Sequence, residues 1–109
     1  MPSMGPAPGE VWLADLGLAA KARPVVIVSR KDENPPRALV TYVPLTTQSR
    51  GSQYEVEMPK LHFLREESFA NVQGIGSIAT ARLEKRLGRV SDETLGEIRQ
   101  ALKFGLDLD

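Results

Sequence analysis

Residues 37–58 constrain the fold most strongly, because they hold two strand patterns separated by a polar connection. Residues 38–43 are rich in β-branched and aromatic side chains and form too short a run for a stable helix. Residues 53–58 alternate apolar and polar side chains, as a strand with one solvated face does. The pattern predicts a hairpin, although residues 44–52 form a longer connection than the roughly two to five residues that a hairpin needs. A solvated loop and a functional loop both fit that connection.

The rest of the chain adds short strand patterns and one late helix. Residues 23–30 form the most apolar segment, and β-branched side chains on both of its faces predict a central, buried strand. Further strand patterns cover residues 10–16, 68–72, 75–80 and 82–90. Ser91 is predicted to cap a helix whose apolar face holds Leu95, Ile98, Leu102 and Leu106. The sequence therefore predicts a mainly β (α+β) domain, either a small curved barrel or a sheet closed by the helix.

A chain of 109 residues and 12.0 kDa is the size of one domain with a modest core. Residues 1–9 are rich in proline and glycine and are predicted to form a flexible N-terminal arm. Residues 10–109 then form the single domain. Residues 17–22 are predicted to be a short flexible connection between the first two strands.

Composition excludes several classes of site. Fourteen basic and fourteen acidic residues cancel, so a polyanion must be bound by a local patch rather than by a global basic field. There is no cysteine and one histidine, His62, which excludes a disulfide framework and a zinc site of Cys/His type. No apolar run reaches membrane-spanning length and no signal-peptide pattern is present, so we expect a cytoplasmic protein without a membrane partner.

The candidates for chemistry are polar residues near either end of the buried strand, in the connection, and beside a glycine. They are Lys21, Arg23, Ser29, Thr46, Thr47, Gln48, Arg50 and Gln73. An arginine at the mouth of a buried strand is expected to be desolvated and to need an anionic partner. Its guanidinium offers a planar fork suited to phosphate, and threonine hydroxyls can donate to phosphate oxygens. Such a set can stabilise a phosphodiester transition state without a metal.

Other interpretations of these residues remain open. Arg23 can be a strand-end arginine paired with Asp15 or Glu10. Gln73, next to a glycine that indicates a bulge or a close approach of backbone, can be an amide that satisfies its own backbone. His62 lies in an irregular polar segment and is predicted to be a surface residue.

Three segments together resemble one known family. Residues 10–16 (EVWLADL), 23–29 (RPVVIVS) and 43–51 (VPLTTQSRG), the last followed by Tyr54, Glu55 and Val56, are similar to the MazF/PemK toxins. The resemblance extends over roughly residues 9–106 and includes the strand at 76–78 and the terminal helix.

The resemblance implies an SH3-like, CcdB/MazF-type β-barrel with a C-terminal helix that forms a homodimer. It implies a metal-independent, cofactor-free, sequence-specific endoribonuclease that cuts single-stranded mRNA. Its 2′-OH attack would leave a 2′,3′-cyclic phosphate and a 5′-hydroxyl. The expected partners are the RNA substrate and a cognate antitoxin, with operator DNA bound only as the toxin–antitoxin complex.

Two positions match the catalytic residues of the family. Arg23 matches its arginine at the start of the second strand, and Thr46 matches its threonine after the third. The remaining candidates would then contact RNA: Lys21, Ser29, Thr47, Gln48, Arg50 and Gln73.

The chain departs from the family pattern in two places. Residues 17–22 are short and lack the Gly-Ser-Glu segment of many members. Gln73 and Gly74 stand where some members have Asp-Gln, so no carboxylate can transfer a proton there. A non-catalytic CcdB-like toxin that binds gyrase and a degenerate antitoxin-binding or DNA-binding member are the alternatives, whereas Arg23 with the threonine pair favours the nuclease.

Overall fold

The computed structural model describes residues 5–17 and 21–109, which form a seven-stranded antiparallel sheet and one α-helix. The strands are β1 (Glu10–Ala14), β2 (Arg23–Ile27), β3 (Leu39–Thr46), β4 (Glu55–Glu57), β5 (Phe69–Asn71), β6 (Gly76–Ala79) and β7 (Leu83–Arg89). The helix α1 is Asp92–Gly105, and short 3₁₀ turns occupy Val72–Gly74 and Thr80–Arg82. The predicted mainly β domain with a C-terminal helix is confirmed. Residues 1–4 of the predicted arm and 18–20 of the predicted connection lie outside the described residues.

The strand order corrects the predicted hairpin. The sheet runs β4-β5-β3-β2-β1-β7, with β6 also paired to β3, so β5 separates the two strands that were expected to be neighbours. Leu45 of β3 lies opposite Ala70 of β5, which in turn lies opposite Val56 of β4. Residues 47–54 connect β3 to β4 and are long enough to cross the roughly 10 Å that one intervening strand occupies.

The predicted buried strand is found at the centre of the sheet. β2 lies between β1 and β3, and Val25, Val26 and Ile27 are fully buried. Alternate residues of a strand point to opposite faces, so burial of three in a row means that both faces are covered. The strand ends at Ile27 rather than at residue 30, and Arg23 is its first residue.

The helix begins directly after Ser91, the N-cap residue predicted from the sequence. The Ser91 hydroxyl accepts a hydrogen bond from the backbone N–H of Thr94 at 3.1 Å. Leu95 and Ile98 are buried in the core, as expected. The expectation for Leu106 is wrong, because the helix ends at Gly105 and Leu106 is 48% exposed.

The hydrogen-bonded sheet remains open within the described ranges. β4 and β7 end the main path of paired strands, β6 pairs with β3 beside that path, and α1 packs against β4 and the Val72–Gly74 turn. Backbone ahead of β1 joins the sheet, since the Gly9 N–H donates to Ile27 O and its carbonyl accepts from the Val90 N–H, each at 2.8 Å. Across residues 5–17 and 21–109, no helix has both the length and the apolar character needed to cross a membrane.

Two glycines make a matched test of the packing around this sheet. A Cβ at Gly88 of β7 would overlap the Phe63 ring, whereas a Cβ at Gly96 in α1 would meet nothing within 4 Å. We expect Gly88→Ala to lower the free energy of unfolding by about 1–3 kcal/mol, because the ring must move. Gly96→Ala is expected to raise it by about 0.5–1 kcal/mol, because alanine favours a helix interior. Urea unfolding of both variants checks the prediction, and equal effects would contradict it.

Candidate active site

A cleft of about 770 Å³ opens where β2 begins and β3 ends. Its lining residues are Arg23, Pro24, Leu45, Thr46, Thr47, Gln48, Arg50, Glu55, Ser68, Asn71 and Gln73. It brings together most of the candidates named from the sequence. Lys21 and Ser29 are not among its lining residues.

Sheet pairing brings Arg23 and Thr46 to the same end of two neighbouring strands. β2 and β3 are antiparallel, with Val25 opposite Pro44 and Val26 opposite Val43. The paired residues end at Val25 and Pro44; Arg23 lies two residues before Val25 in β2, and Thr46 lies two residues after Pro44 in β3. The two residues therefore stand at the same end of neighbouring antiparallel strands. Both line the cleft, although 22 residues lie between them in the sequence.

The Thr46 hydroxyl is poised to donate. Its oxygen accepts a hydrogen bond from the backbone N–H of Gln48 at 3.1 Å. A hydroxyl has one hydrogen and two lone pairs, so this bond uses an acceptor site and leaves the hydrogen free. The same bond turns the chain after β3 so that Thr47 and Gln48 are exposed in the cleft.

Arg23 is exposed, which corrects the expectation of a desolvated charge. The proposed partners are engaged elsewhere: Glu10 pairs with Arg86 at 3.4 Å, and Asp15 accepts from the Gly17 N–H at 2.9 Å. Within residues 5–17 and 21–109, no ion pair includes Arg23. Because Arg23 lies at the open end of β2, its charge is available to an anion that enters the cleft.

Gln73 reaches the cleft from a 3₁₀ turn that sequence reasoning missed. Its backbone N–H donates to the Asn71 side chain at 3.1 Å, so Asn71 and not the Gln73 amide satisfies this backbone. The predicted close approach at the neighbouring glycine is present, since a Cβ at Gly74 would lie 2.7 Å from Pro44 Cγ. The turn therefore packs directly on β3, with the Gln73 side chain exposed.

Asn71 and Glu55 line the cleft but were not among the candidates named from the sequence. The Glu55 carboxylate accepts hydrogen bonds from the Arg50 N–H at 2.9 Å, the Ser49 hydroxyl at 3.2 Å and the Ser52 N–H at 3.4 Å. Desolvation raises the pKa of Glu55, but these hydrogen bonds outweigh it and hold the pKa below its ordinary value of 4.5. The only sign of this role in the sequence is that an acidic residue follows shortly after the segment Ser-Arg-Gly-Ser.

The lowered pKa of Glu55 predicts how the loop responds to acid. A carboxylate with a depressed folded-state pKa stabilises the fold at pH values above its unfolded pKa, and this contribution is lost as the pH falls through the folded value. We expect the amide resonances of Arg50 and Ser52 to shift together as the pH is lowered below 4.5. The Glu55→Gln variant should lack that titration, and a titration that persists in the variant would contradict the assignment.

Three further residues lie outside the cleft. Lys21 is exposed just before β2. Ser29 accepts a hydrogen bond from the Thr41 N–H at 3.0 Å, a contact that links residues on either side of the β2–β3 connection. His62 is exposed, as expected of a surface histidine.

A second cleft, of about 840 Å³ between β4 and α1, has the wrong charge for a polyanion. Its lining includes the carboxylates Glu55, Glu57, Glu93 and Glu97. The cleft at Arg23 has two guanidinium groups and one carboxylate among its lining residues. These charges therefore favour a phosphate in the cleft at Arg23 over one in the second cleft.

Family membership follows from a comparison with known proteins. The family model of the PemK-like, MazF-like toxins of type II toxin–antitoxin systems matches residues 7–106. The chain belongs to this family. The match confirms the resemblance carried by the segments around Arg23 and Thr46.

Individual relatives cover nearly the whole chain. The probable endoribonuclease MazF5 of Mycobacterium tuberculosis is 34% identical over 94% of this chain and 94% of its own length. Endoribonuclease MazF9 of the same species is 34% identical over 92% of this chain and 95% of its own length. A mycobacterial endoribonuclease solved in complex with its cognate antitoxin superposes with a TM-score of 0.83 at 33% identity, covering 95% of this chain and 97% of that one.

Proposed function

We propose that this member of the PemK/MazF toxin family is an endoribonuclease that cuts single-stranded RNA in the cleft at Arg23 and Thr46. The proposal is supported by the cleft that both residues line, at the same end of the neighbouring strands β2 and β3. The relatives named as endoribonucleases support it over the gyrase-binding and degenerate alternatives. A cytoplasmic location follows from an mRNA substrate.

The chemistry is an internal transfer at phosphorus. The 2′-oxygen of one nucleotide attacks the adjacent phosphate, the P–O5′ bond breaks, and the products are a 2′,3′-cyclic phosphate and a 5′-hydroxyl. The 2′-OH loses a proton and the departing 5′-oxygen gains one. Negative charge grows on the non-bridging oxygens in the transition state, where preorganised donors are most effective.

The two residues have distinct roles at that phosphate. The Arg23 guanidinium neutralises its charge and can bind two oxygens through its planar fork. The Thr46 hydroxyl donates its free hydrogen to a non-bridging oxygen. Neither step uses a metal ion, and the reaction is expected to proceed in EDTA.

The remaining polar residues of the cleft would hold the RNA on either side of the cut. Thr47, Gln48 and Arg50 follow β3, and Gln73 faces them from the 3₁₀ turn. Single-stranded RNA offers splayed bases and backbone phosphates to such side chains. Lys21, which is exposed two residues before Arg23 and does not line the cleft, would contact a phosphate further along the RNA.

A homodimer and a cognate antitoxin complete the proposal. Phe104, Leu106 and Leu108, in the last turn of α1 and just beyond it, are 50%, 48% and 59% exposed, and a second copy could cover them. A related toxin has been solved with its antitoxin, and we propose that an antitoxin also binds this chain. Sedimentation of the purified chain tests the dimer directly.

Incubation of the purified chain with a long RNA in EDTA tests the activity. Cuts at a short recurring sequence are expected, with cyclic-phosphate ends and 5′-hydroxyl ends that polynucleotide kinase labels without prior dephosphorylation. Intact RNA, or products with 5′-phosphates, would overturn the proposal.

A further inference from the structure

Glu55 places a negative charge in a cleft that is proposed to bind an anion. Among the described residues that line this cleft, it is the one carboxylate. An unpaired negative charge there would weaken RNA binding by repulsion. Its acceptor positions are instead filled by the Arg50 and Ser52 backbone and the Ser49 hydroxyl.

The loop from Ser49 to Ser52 depends on that carboxylate for its shape. These residues are exposed, and Gly51 has a φ of +63° with no atom within 4 Å of a Cβ built on it. The Gly51 N–H donates to the Ser49 hydroxyl at 3.0 Å, and that hydroxyl donates to Glu55. Ser52 also accepts from the backbone N–H groups of Tyr54 and Glu55, each at 3.2 Å, but the donors at Ser49, Arg50 and Ser52 share the Glu55 carboxylate as their acceptor.

Backbone N–H groups that converge in a turn form a site for anions. Here Glu55 fills that site from within the chain. A phosphate that reaches the loop must then be met by the Arg50 side chain rather than by the backbone.

We propose that Glu55 is a positioning residue for RNA, whose carboxylate fixes the loop and so holds the Arg50 guanidinium at the edge of the cleft. This inference rests on the proposed function. An arginine on a mobile loop loses both backbone and side-chain conformational entropy when it binds RNA. If the backbone at Arg50 is already fixed, only the side-chain entropy remains to be lost. Because the effect concerns RNA held beside the cut, it should change binding more than the chemical step.

The Glu55→Gln variant, with Glu57→Gln as its matched control, tests the inference. Glu57 is exposed, whereas Glu55 is half-buried; Glu57 lies two residues further along β4 and does not line the cleft. Affinity is measured for an RNA that carries a 2′-deoxy nucleotide at the cut, and KM and kcat for the cleavable RNA. Glu55→Gln is expected to weaken binding and raise KM about tenfold, with kcat within about threefold, whereas Glu57→Gln behaves as wild type.

A double-mutant cycle shows whether Glu55 acts through Arg50. Residues in one network have non-additive effects, so Glu55→Gln should cost little further affinity in an Arg50→Ala background. The Arg50→Ala variant should also reduce the slope of log affinity against log salt concentration by about one, as expected for the loss of one phosphate contact. Additive losses would overturn the inference, as would wild-type binding by Glu55→Gln.

A milder variant decides the matter if Glu55→Gln is unfolded at the assay temperature. Ser49→Ala removes one donor to the carboxylate and should weaken binding about twofold to threefold. Wild-type binding by Ser49→Ala would then overturn the inference. Failure of the wild-type chain to cut RNA in EDTA would instead overturn the proposed function.

Discussion

Arg23→Ala is expected to slow RNA cleavage by about a thousandfold or more. The variant removes a full positive charge and up to two charge-assisted hydrogen bonds from the transition state. Arg23 is exposed and is in neither of the ion pairs that the described residues form, so the substitution should leave the fold intact. The rate is measured as single-turnover cleavage of a short RNA with saturating protein.

Two further variants separate local from global effects of this arginine. Arg99→Ala removes the same charge from an exposed position on α1 and should cleave at the wild-type rate. Arg23→Lys keeps the charge but loses the planar fork, and its rate should fall between those of wild type and alanine. Cleavage by Arg23→Ala within tenfold of wild type would remove Arg23 from the mechanism.

The helix could be predicted from residues close together in the sequence, whereas the pairing of the strands depends on residues far apart in the sequence. Ser91 and the apolar residues after it specify the start of α1 within a few positions of the chain. Nothing local to β3 and β4 shows that β5 is inserted between them. Two strands that pair directly and two strands separated by a third show the same alternation of apolar and polar residues. The sequence therefore predicted the strands but not their order in the sheet.

For the candidate site as well, the sequence predicted the residues but not how the fold brings them together. Its chemical groups were readable from the sequence, because an arginine before a buried strand and a polar run after another are unusual. That Arg23 and Thr46 face one cleft depends on the antiparallel register of β2 and β3, which only the folded sheet sets. Asn71 and Glu55 were missed because each acts through a backbone N–H, a contact without a pattern in side-chain type.

Thr46→Val is expected to lower the rate of cleavage by about a hundredfold to a thousandfold, with little change in KM. Valine has nearly the shape of threonine, and so the variant removes the hydroxyl and little else. The lost interaction is made to charge that develops in the transition state, which places the effect in kcat. The Gln48 N–H also loses its acceptor, but Gln48 is exposed and water can replace that bond.

A serine at the same position should restore most of the activity, because it returns both the donor and the acceptor for Gln48. Thr41→Val is the matched control on the same strand: its hydroxyl lies 3.3 Å from that of Ser77 and outside the cleft, so its rate should equal that of wild type. If Thr46→Ser were as slow as Thr46→Val, the hydroxyl hydrogen would not be what matters at this position. If Thr46→Val instead raised KM at unchanged kcat, Thr46 would hold the substrate without contributing to the chemical step, and Arg23 alone would stabilise the transition state.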